Sequence, residues 1–270
     1  MKIALVLVAS FLILAVSTNA QNVLTRKEIY NTNRDAVVQI YVGDNFSGTG
    51  FIVSADGTIV TANHVVATRD SHYREYAGQI MVLVFRKGIA TPYPATPIAA
   101  QISADQVNYD FVKLKIEATA LPFVKMGDWD EVDIDSEITV IPSFPGPGTL
   151  MLHGTVSSKG AFRNDLGPKP VNTILFQCPI HNGFSGAPIF SSKGNVIGIV
   201  DTKVFGISPA LDGLKGRWSA GRGTVFLSGV DVAASFLELI NNLDQNLVSG
   251  LGSGVAIDYA KKQQGAATHR

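Results

Sequence analysis

A single cysteine, Cys178, is all the sulfhydryl chemistry the 270-residue chain contains. No intramolecular disulfide can form, so stability has to come from the chain's own core, which a protein of this size can build. A lone cysteine is more often a small buried apolar residue than a nucleophile, and that is the reading for Cys178. Charge is also sparse: 16% of residues, with 22 basic and 22 acidic side chains and a net charge of +0. No basic block is present, which argues against nucleic acid or an anionic membrane surface as the main partner, since both demand clustered positive charge. Metal-ligand spacing is missing as well. His72, His153 and His269 fall in no zinc-type pattern, and no cofactor or metal is expected. Helical periodicity is confined to one late segment, Asp231 to Leu243, where Val232, Ala233, Phe236, Leu237, Ile240 and Leu243 share a face.

What the chain does have is apolar content, 46% of residues, enough for a globular fold with a sizeable core. Its first segment is set apart. Lys2, a nearly unbroken apolar run from Ile3 to Val16, and the small polar stretch Ser17-Thr18-Asn19-Ala20 have the layout of a secretory signal peptide cleaved after Ala20. The run is short for a bilayer span, which takes about 20 residues. The mature protein is therefore expected to be secreted or periplasmic, without stable membrane insertion.

After a polar lead-in from Gln21 to Arg34, Val- and Ile-rich runs recur at short spacing. Ala36–Val42 ends at Gly43-Asp44-Asn45. Gly50–Val53 and Thr58–Thr61 flank Ala55-Asp56-Gly57, a hairpin signal because glycine accepts the positive φ such turns require. Further candidate strands are Ile80–Phe85, Phe111–Ile116, Ser136–Ile141, Thr149–Ser157, Thr173–Gln177, Ala187–Phe190, Val196–Thr202 and Thr224–Leu227. The densest Pro/Gly cluster, Pro142 to Gly148, reads as a loop. Many short strands with regular turn signals predict an all-β sandwich or a pair of barrels.

Three local patterns carry chemistry. Ile59-Val60-Thr61-Ala62-Asn63-His64-Val65-Val66 delivers a histidine at a strand end. Asn108-Tyr109-Asp110-Phe111-Val112-Lys113-Leu114 leads a carboxylate into an apolar strand. Asn182-Gly183-Phe184-Ser185-Gly186-Ala187-Pro188 sets a serine in a glycine-flanked loop before another strand. A serine hydroxyl is a poor nucleophile until a histidine accepts its proton, and the histidine needs a carboxylate to fix its tautomer. The resulting oxyanion needs converging backbone amides, which a glycine-rich loop can offer; Gly183 and Ser185 are the candidate donors. Asp105 lies close enough in sequence to compete with Asp110, and the apolar strand that follows Asp110 favours the latter.

These residues resemble the trypsin-like peptidase superfamily and, within it, the HtrA/Deg-type bacterial enzymes. The resemblance rests on Gly48-Thr49-Gly50-Phe51, Thr61 to Val66, Asp110 to Lys115 and Gly183 to Pro188, in the order His…Asp…Ser, and spans roughly Ala36 to Asn242. It implies two six-stranded antiparallel β-barrels of the chymotrypsin type, the triad His64, Asp110 and Ser185 between them, and a C-terminal helix at Asp231 to Leu243. It also implies that His181 belongs to the specificity pocket and that Asp201 and Thr202 line its wall. The expected layout is a signal peptide at 1–20, a first barrel at 21–122, a second with the helix at 123–246, and a loose tail at 247–270. Two positions depart from the family pattern. Phe184 stands where trypsin-like zymogens carry an aspartate that pairs with a new N-terminus, and Ala187 replaces the second glycine after the serine. Too few residues follow the helix for a PDZ domain. The expected activity is a serine endopeptidase acting on proteins or peptides through an acyl-enzyme. The alternative is a catalytically silent homologue that binds peptides or proteins. An α/β-hydrolase is excluded because its histidine follows the serine, and only His269 does so here.

Overall fold

The computed structural model describes residues 23–146, 148–162, 168–203, 226–227, 230–231, 234–235, 238 and 249–262. The polar lead-in contains a helix, α1 (Arg26–Asn33). Thr25 accepts the Glu28 N–H, and the Glu28 carboxylate accepts the Thr25 N–H at 2.8 Å, a reciprocal cap that a Thr-x-x-Glu spacing encodes. The helix is strapped to the second half of the chain by Arg26–Glu137 at 2.8 Å and by the Tyr30 hydroxyl donating to the Thr149 carbonyl at 3.0 Å.

Strands β1 (Val37–Val42), β2 (Asn45–Ser54), β3 (Thr58–Thr61), β4 (Ile80–Arg86), β5 (Ile89–Pro97) and β6 (Val112–Ile116) close the first barrel in the order β1-β2-β3-β6-β5-β4. The β2–β3 hairpin turns where the sequence placed it. Gly57 takes φ +91°, and Asp56 Oδ1 accepts the Thr58 N–H at 3.0 Å. Gly48 to Val53 of β2 are continuously buried, because one face fills the barrel and the other meets the second barrel. Two short helices interrupt this half: α2 (Asn63–Val66) after β3 and α3 (Ala104–Asn108) before β6. Strand β5 escaped the sequence reading because Pro92, Pro94 and Pro97 break the pattern. Pro92 and Pro94 face Leu83 and Met81 of β4, while β6 pairs only with Ala95 to Pro97. Pro92 and Pro94 therefore sit where the far edge of β5 has no β6 partner, so their missing N–H costs no ladder bond on that side, while Pro97 ends the strand opposite Leu114.

The second barrel uses β7 (Glu137–Val140), then a small hairpin of β8 (Ser143–Phe144) and β9 (Gly148–Thr149), then β10 (Leu152–Phe162), β11 (Val171–Ile180), β12 (Pro188–Phe190) and β13 (Val196–Lys203). A two-stranded pair, β14 (Phe226–Leu227) and β15 (Val230–Asp231), stands apart, and β16 (Ser249–Ala256) followed by α4 (Asp258–Lys262) ends the described chain. The barrel order is β10-β11-β16-β13-β12-β7. Val140, Ile174, Phe176, Ile189, Ile197 and Val200 form its core, with Cys178 buried among them.

The expected loose tail is corrected over residues 249–262, the part of it that is described. Ser249 to Ala256 is a central strand, hydrogen-bonded to β11 on one side and β13 on the other. Its glycines look flexible in sequence but are packing requirements: a Cβ on Gly252 would stand 2.7 Å from the Phe176 ring and 2.6 Å from Ile180. Tyr259 of α4 stacks on Tyr109 at 3.9 Å and accepts the Asn172 N–H at 2.9 Å, fastening the C-terminal segment across both barrels. The expected helix at Asp231 to Leu243 falls mostly outside the described residues, as does the signal peptide. Residues 234, 235 and 238 within the former are helical. No helix among the described residues is long and apolar enough to cross a membrane.

Candidate active site

Strand β3 ends at Thr61, and α2 turns His64 into the seam between the barrels. The Asn63 side-chain amide donates to the Tyr73 carbonyl at 2.9 Å and holds this turn. The His64 backbone N–H meets Asp110 Oδ1 at 3.0 Å while ring Nδ1 meets Oδ2 at 2.6 Å, so the carboxylate grips the residue twice. A carboxylate accepts, which assigns a proton to Nδ1; in the neutral imidazole the lone pair then lies on Nε2. The Asp110 side chain is fully buried, whereas that of His64 keeps 28% exposure.

The backbone at Asp110 explains its aim. Helix α3 ends in a Schellman turn, with Phe111 N–H on the Gln106 carbonyl (3.2 Å) and Asp110 N–H on the Val107 carbonyl (3.3 Å). That motif puts Asp110 in the left-handed region, φ +45°, usually left to glycine or asparagine. The strain is the kind that persists where the surroundings over-determine a functional side chain. Asp105, the sequence competitor, is exposed on α3 and paired with Lys169 at 2.7 Å.

Ser185 lies in the loop between β11 and β12. Its carbonyl accepts the Thr49 N–H at 2.9 Å, and its hydroxyl donates to the Asp201 carbonyl at 3.2 Å. Gly186 follows at φ +84° and takes no other residue, since a Cβ would overlap the Thr49 carbonyl and the Thr61 hydroxyl. In this loop the Phe184, Gly186 and Ala187 amides donate to His181, Val200 and Phe184 carbonyls. The Gly183 and Ser185 amides meet no protein acceptor among the described residues. Thr49, buried on β2, bridges the seam. Its hydroxyl lies 3.2 Å from the Ser143 N–H, 3.1 Å from the Ser143 carbonyl and 3.0 Å from the Gly183 carbonyl.

Of the remaining predicted residues, His181 joins Phe144 and Phe184 in an aromatic group beside the serine loop, at ring separations of 5.8 and 6.1 Å. Thr202 pairs with Ser253 in the β13–β16 ladder. Asp201 differs from its expected place on a pocket wall. It occupies a bulge between Val200 and Thr202, and its carboxyl is turned into the His64–Asp110 cluster, with atoms of all three within 4.8 Å of one another. Sequence reasoning missed this and missed Thr49. The signal available for Asp201 was a carboxylate directly after five apolar residues, Val196 to Val200.

The electrostatics follow from this crowding. Burial works against a charge on His64, but the negative charge and hydrogen bond of Asp110 outweigh it and raise the imidazole above its ordinary 6.5. Burial likewise opposes the Asp110 anion, and His64 more than compensates, holding it below the usual carboxylate value. Burial and the neighbouring Asp110 charge push Asp201 up to about 8. His64, Asp110 and Asp201 form the one cluster of metal-type donors among the described residues. Within it both Asp110 oxygens are engaged with His64, and the Asp201 carboxyl has the Ser253 hydroxyl 3.5 Å away. Burial pushes the Cys178 thiol up to about 12, which removes it as a nucleophile.

Two closed six-stranded antiparallel barrels meeting at such a seam are the chymotrypsin-like architecture. The chain belongs to the trypsin-like peptidase domain family, which matches residues 48–199, more than half of its length. Among curated relatives, a probable periplasmic serine endoprotease DegP-like of Ectopseudomonas mendocina (strain ymp) is 33% identical over 62% of this chain and 31% of its own. One from Pseudomonas putida (strain GB-1) is 32% identical over the same shares. The chain thus spans about a third of the length of these relatives. Among solved structures, the HtrA-type protease AlgW with tripeptide superposes with a TM-score of 0.61 at 24% identity, covering 91% of this chain and 64% of that one. That likeness concerns the fold.

Proposed function

We propose that the protein is an exported serine endopeptidase in which Ser185 is the nucleophile, His64 the general base and Asp110 the residue that orients it. The observation that carries this reading is the double grip of buried Asp110 on His64, which fixes a proton on Nδ1 and so puts the lone pair of the neutral imidazole on Nε2. The Ser185 hydroxyl, which here donates to the Asp201 carbonyl, exchanges that partner for Nε2 when substrate binds, since catalytic hydrogen bonds often tighten only in the substrate complex. His64 then accepts the hydroxyl proton as Oγ attacks the peptide carbonyl. The Gly183 and Ser185 amides receive the oxyanion, and His64 returns the proton to the departing amine. Water hydrolyses the acyl-enzyme by the same steps in reverse.

Unfolded or peptide substrates are supported by the family and by the peptides bound to AlgW. Export, and a periplasmic or secreted location, are supported by the N-terminal layout and by relatives named as periplasmic. The test is labelling of the purified protein with a fluorophosphonate, alongside cleavage of an unfolded protein such as casein. The wild type should label and cleave, and Ser185→Ala and His64→Ala should do neither. A folded wild type that does not label, but retains peptides in a pull-down, refutes the enzyme and establishes a binding homologue.

A further inference from the structure

The Asp201 side chain has no part in the mechanism above, yet it brings a second carboxyl beside the fully buried carboxylate of Asp110. Strand β13 bulges at this residue, with Val200 opposite Gly254 and Thr202 opposite Ser253, so Asp201 falls out of the ladder. Bulges re-aim side chains in this way beside active sites. A carboxyl oxygen of Asp201 stands within 4.8 Å of both an Asp110 oxygen and a His64 nitrogen. From the other side the Ser253 hydroxyl of β16 lies 3.5 Å from Oδ2. The backbone carbonyl of the same residue holds the Ser185 hydroxyl. Arg69 is a further charge acting on His64, opposing its protonation. The Tyr73 ring stands edge-on to His64 at 6.3 Å.

Two carboxylates this close do not both ionise readily, so one holds a proton and donates it to the other. Asp110 is already accepting from His64 through both oxygens and stays the anion, which leaves the acid to Asp201. We infer, resting on the triad reading above, that Asp201 is a positioning residue whose carboxylic acid hydrogen-bonds Asp110 and which competes with His64 for one proton. With the proton on Asp201, His64 is a free base and can accept from Ser185. With it on His64, the imidazolium accepts nothing and the serine stays inert. The pair therefore sets the pH at which the site switches on.

The sign of the effect follows. An Asp201 anion stabilises the imidazolium, so neutral His64 accumulates only at a higher pH than it would beside an uncharged neighbour. Asp201→Asn keeps the size and an N–H donor for Asp110 but removes the competing proton site. Asp201→Ala removes the donor as well. The experiment measures the second-order rate of fluorophosphonate labelling against pH for wild type, Asp201→Asn and Asp201→Ala. In parallel, proton NMR follows the low-field His64 Nδ1–H resonance through the same titration. The expected result is an acid limb lower by about one pH unit in Asp201→Asn, collapsed from two steps to one. Asp201→Ala should label at least about tenfold more slowly than Asp201→Asn at every pH. Labelling and resonance profiles for Asp201→Asn that superimpose on the wild type would overturn the inference while leaving the peptidase reading intact. A wild type that fails to label, but whose His64 resonance titrates lower in Asp201→Asn, supports the proton-sharing pair and removes the peptidase reading alone.

Discussion

Thr49→Val removes one oxygen and changes little else, which makes it a sharp probe of how the two barrels hold the serine loop. The threonine is completely buried. Its hydroxyl accepts the Ser143 N–H and has a single proton for either the Ser143 or the Gly183 carbonyl. Valine keeps the shape and satisfies none of these. Two buried hydrogen bonds are lost at once, and no water can reach a site with no exposure, so the cost is about 2–4 kcal/mol. For a chain of this size that corresponds to roughly 5–15 °C in Tm. A domain with ordinary stability of about 5–15 kcal/mol survives the loss, so the variant should fold. Function should fall further than stability alone accounts for, because the Gly183 carbonyl belongs to the peptide segment that carries the proposed oxyanion donor. Chemical denaturation gives the stability and fluorophosphonate labelling at a temperature where the variant is fully folded gives the reactivity. Thr49→Ser, which keeps the hydroxyl, should recover most of the labelling. A Thr49→Val protein with wild-type stability and wild-type labelling would refute the idea that this hydroxyl joins the barrels to the loop.

The structure yields three other expectations. Gly186→Ala forces a Cβ into the Thr49 carbonyl at φ +84° and should cost more than about 3 kcal/mol, whereas Gly43→Ala, at φ +57° with open space around it, should cost about 1 kcal/mol; thermal melts of the two variants compare them directly. Glu131 accepts from Ser191 (2.7 Å) and Asn195 (2.9 Å), and although burial works against its charge these bonds hold its carboxyl below the usual value. Its contribution is present above the unfolded carboxylate pKa and lost as the pH falls through the folded one, so Glu131→Gln should be less stable than wild type at pH 7, with the gap narrowing toward pH 3 in urea titrations. Truncation before Ser249 removes β16 and leaves facing edges of β11 and β13 unpaired, so the shortened protein should be recovered insoluble or protease-sensitive, and a soluble, protease-resistant product would contradict the assigned strand order.

Much of this molecule was legible locally. Val37 to Val42, the Ala55-Asp56-Gly57 hairpin and the strand after Asp110 are written in short-range pattern, because a short run of β-branched apolar residues and a positive-φ turn are properties of neighbouring residues. His64, Asp110 and Ser185 stood out because each sits at a strand edge in a loop of distinctive composition, and their order in the chain excluded rival folds. Helix α1 was equally available in Thr25 and Glu28 and went unread within a polar stretch.

Other features depend on residues far apart in the chain. Ser249 to Ala256 has the composition of a linker, and only the bulk of Phe176, Ile180 and Ile189 across the barrel makes its glycines the residues that fit. The prolines of β5 deny a strand until it is known which edge they face. Asp201 reads as a residue at the end of an apolar run, and its chemistry arises from a bulge that brings it against Asp110, a carboxylate far earlier in the chain. The sequence by itself determined most of the barrel-forming strands and singled out His64, Asp110 and Ser185 as the proposed triad, since these rest on local pattern and side-chain chemistry. The tertiary structure decided the closing strand, the threonine that ties the barrels together and the carboxyl pair behind His64. Packing and proton affinity depend on what stands within a few ångströms, and sequence separation does not report that.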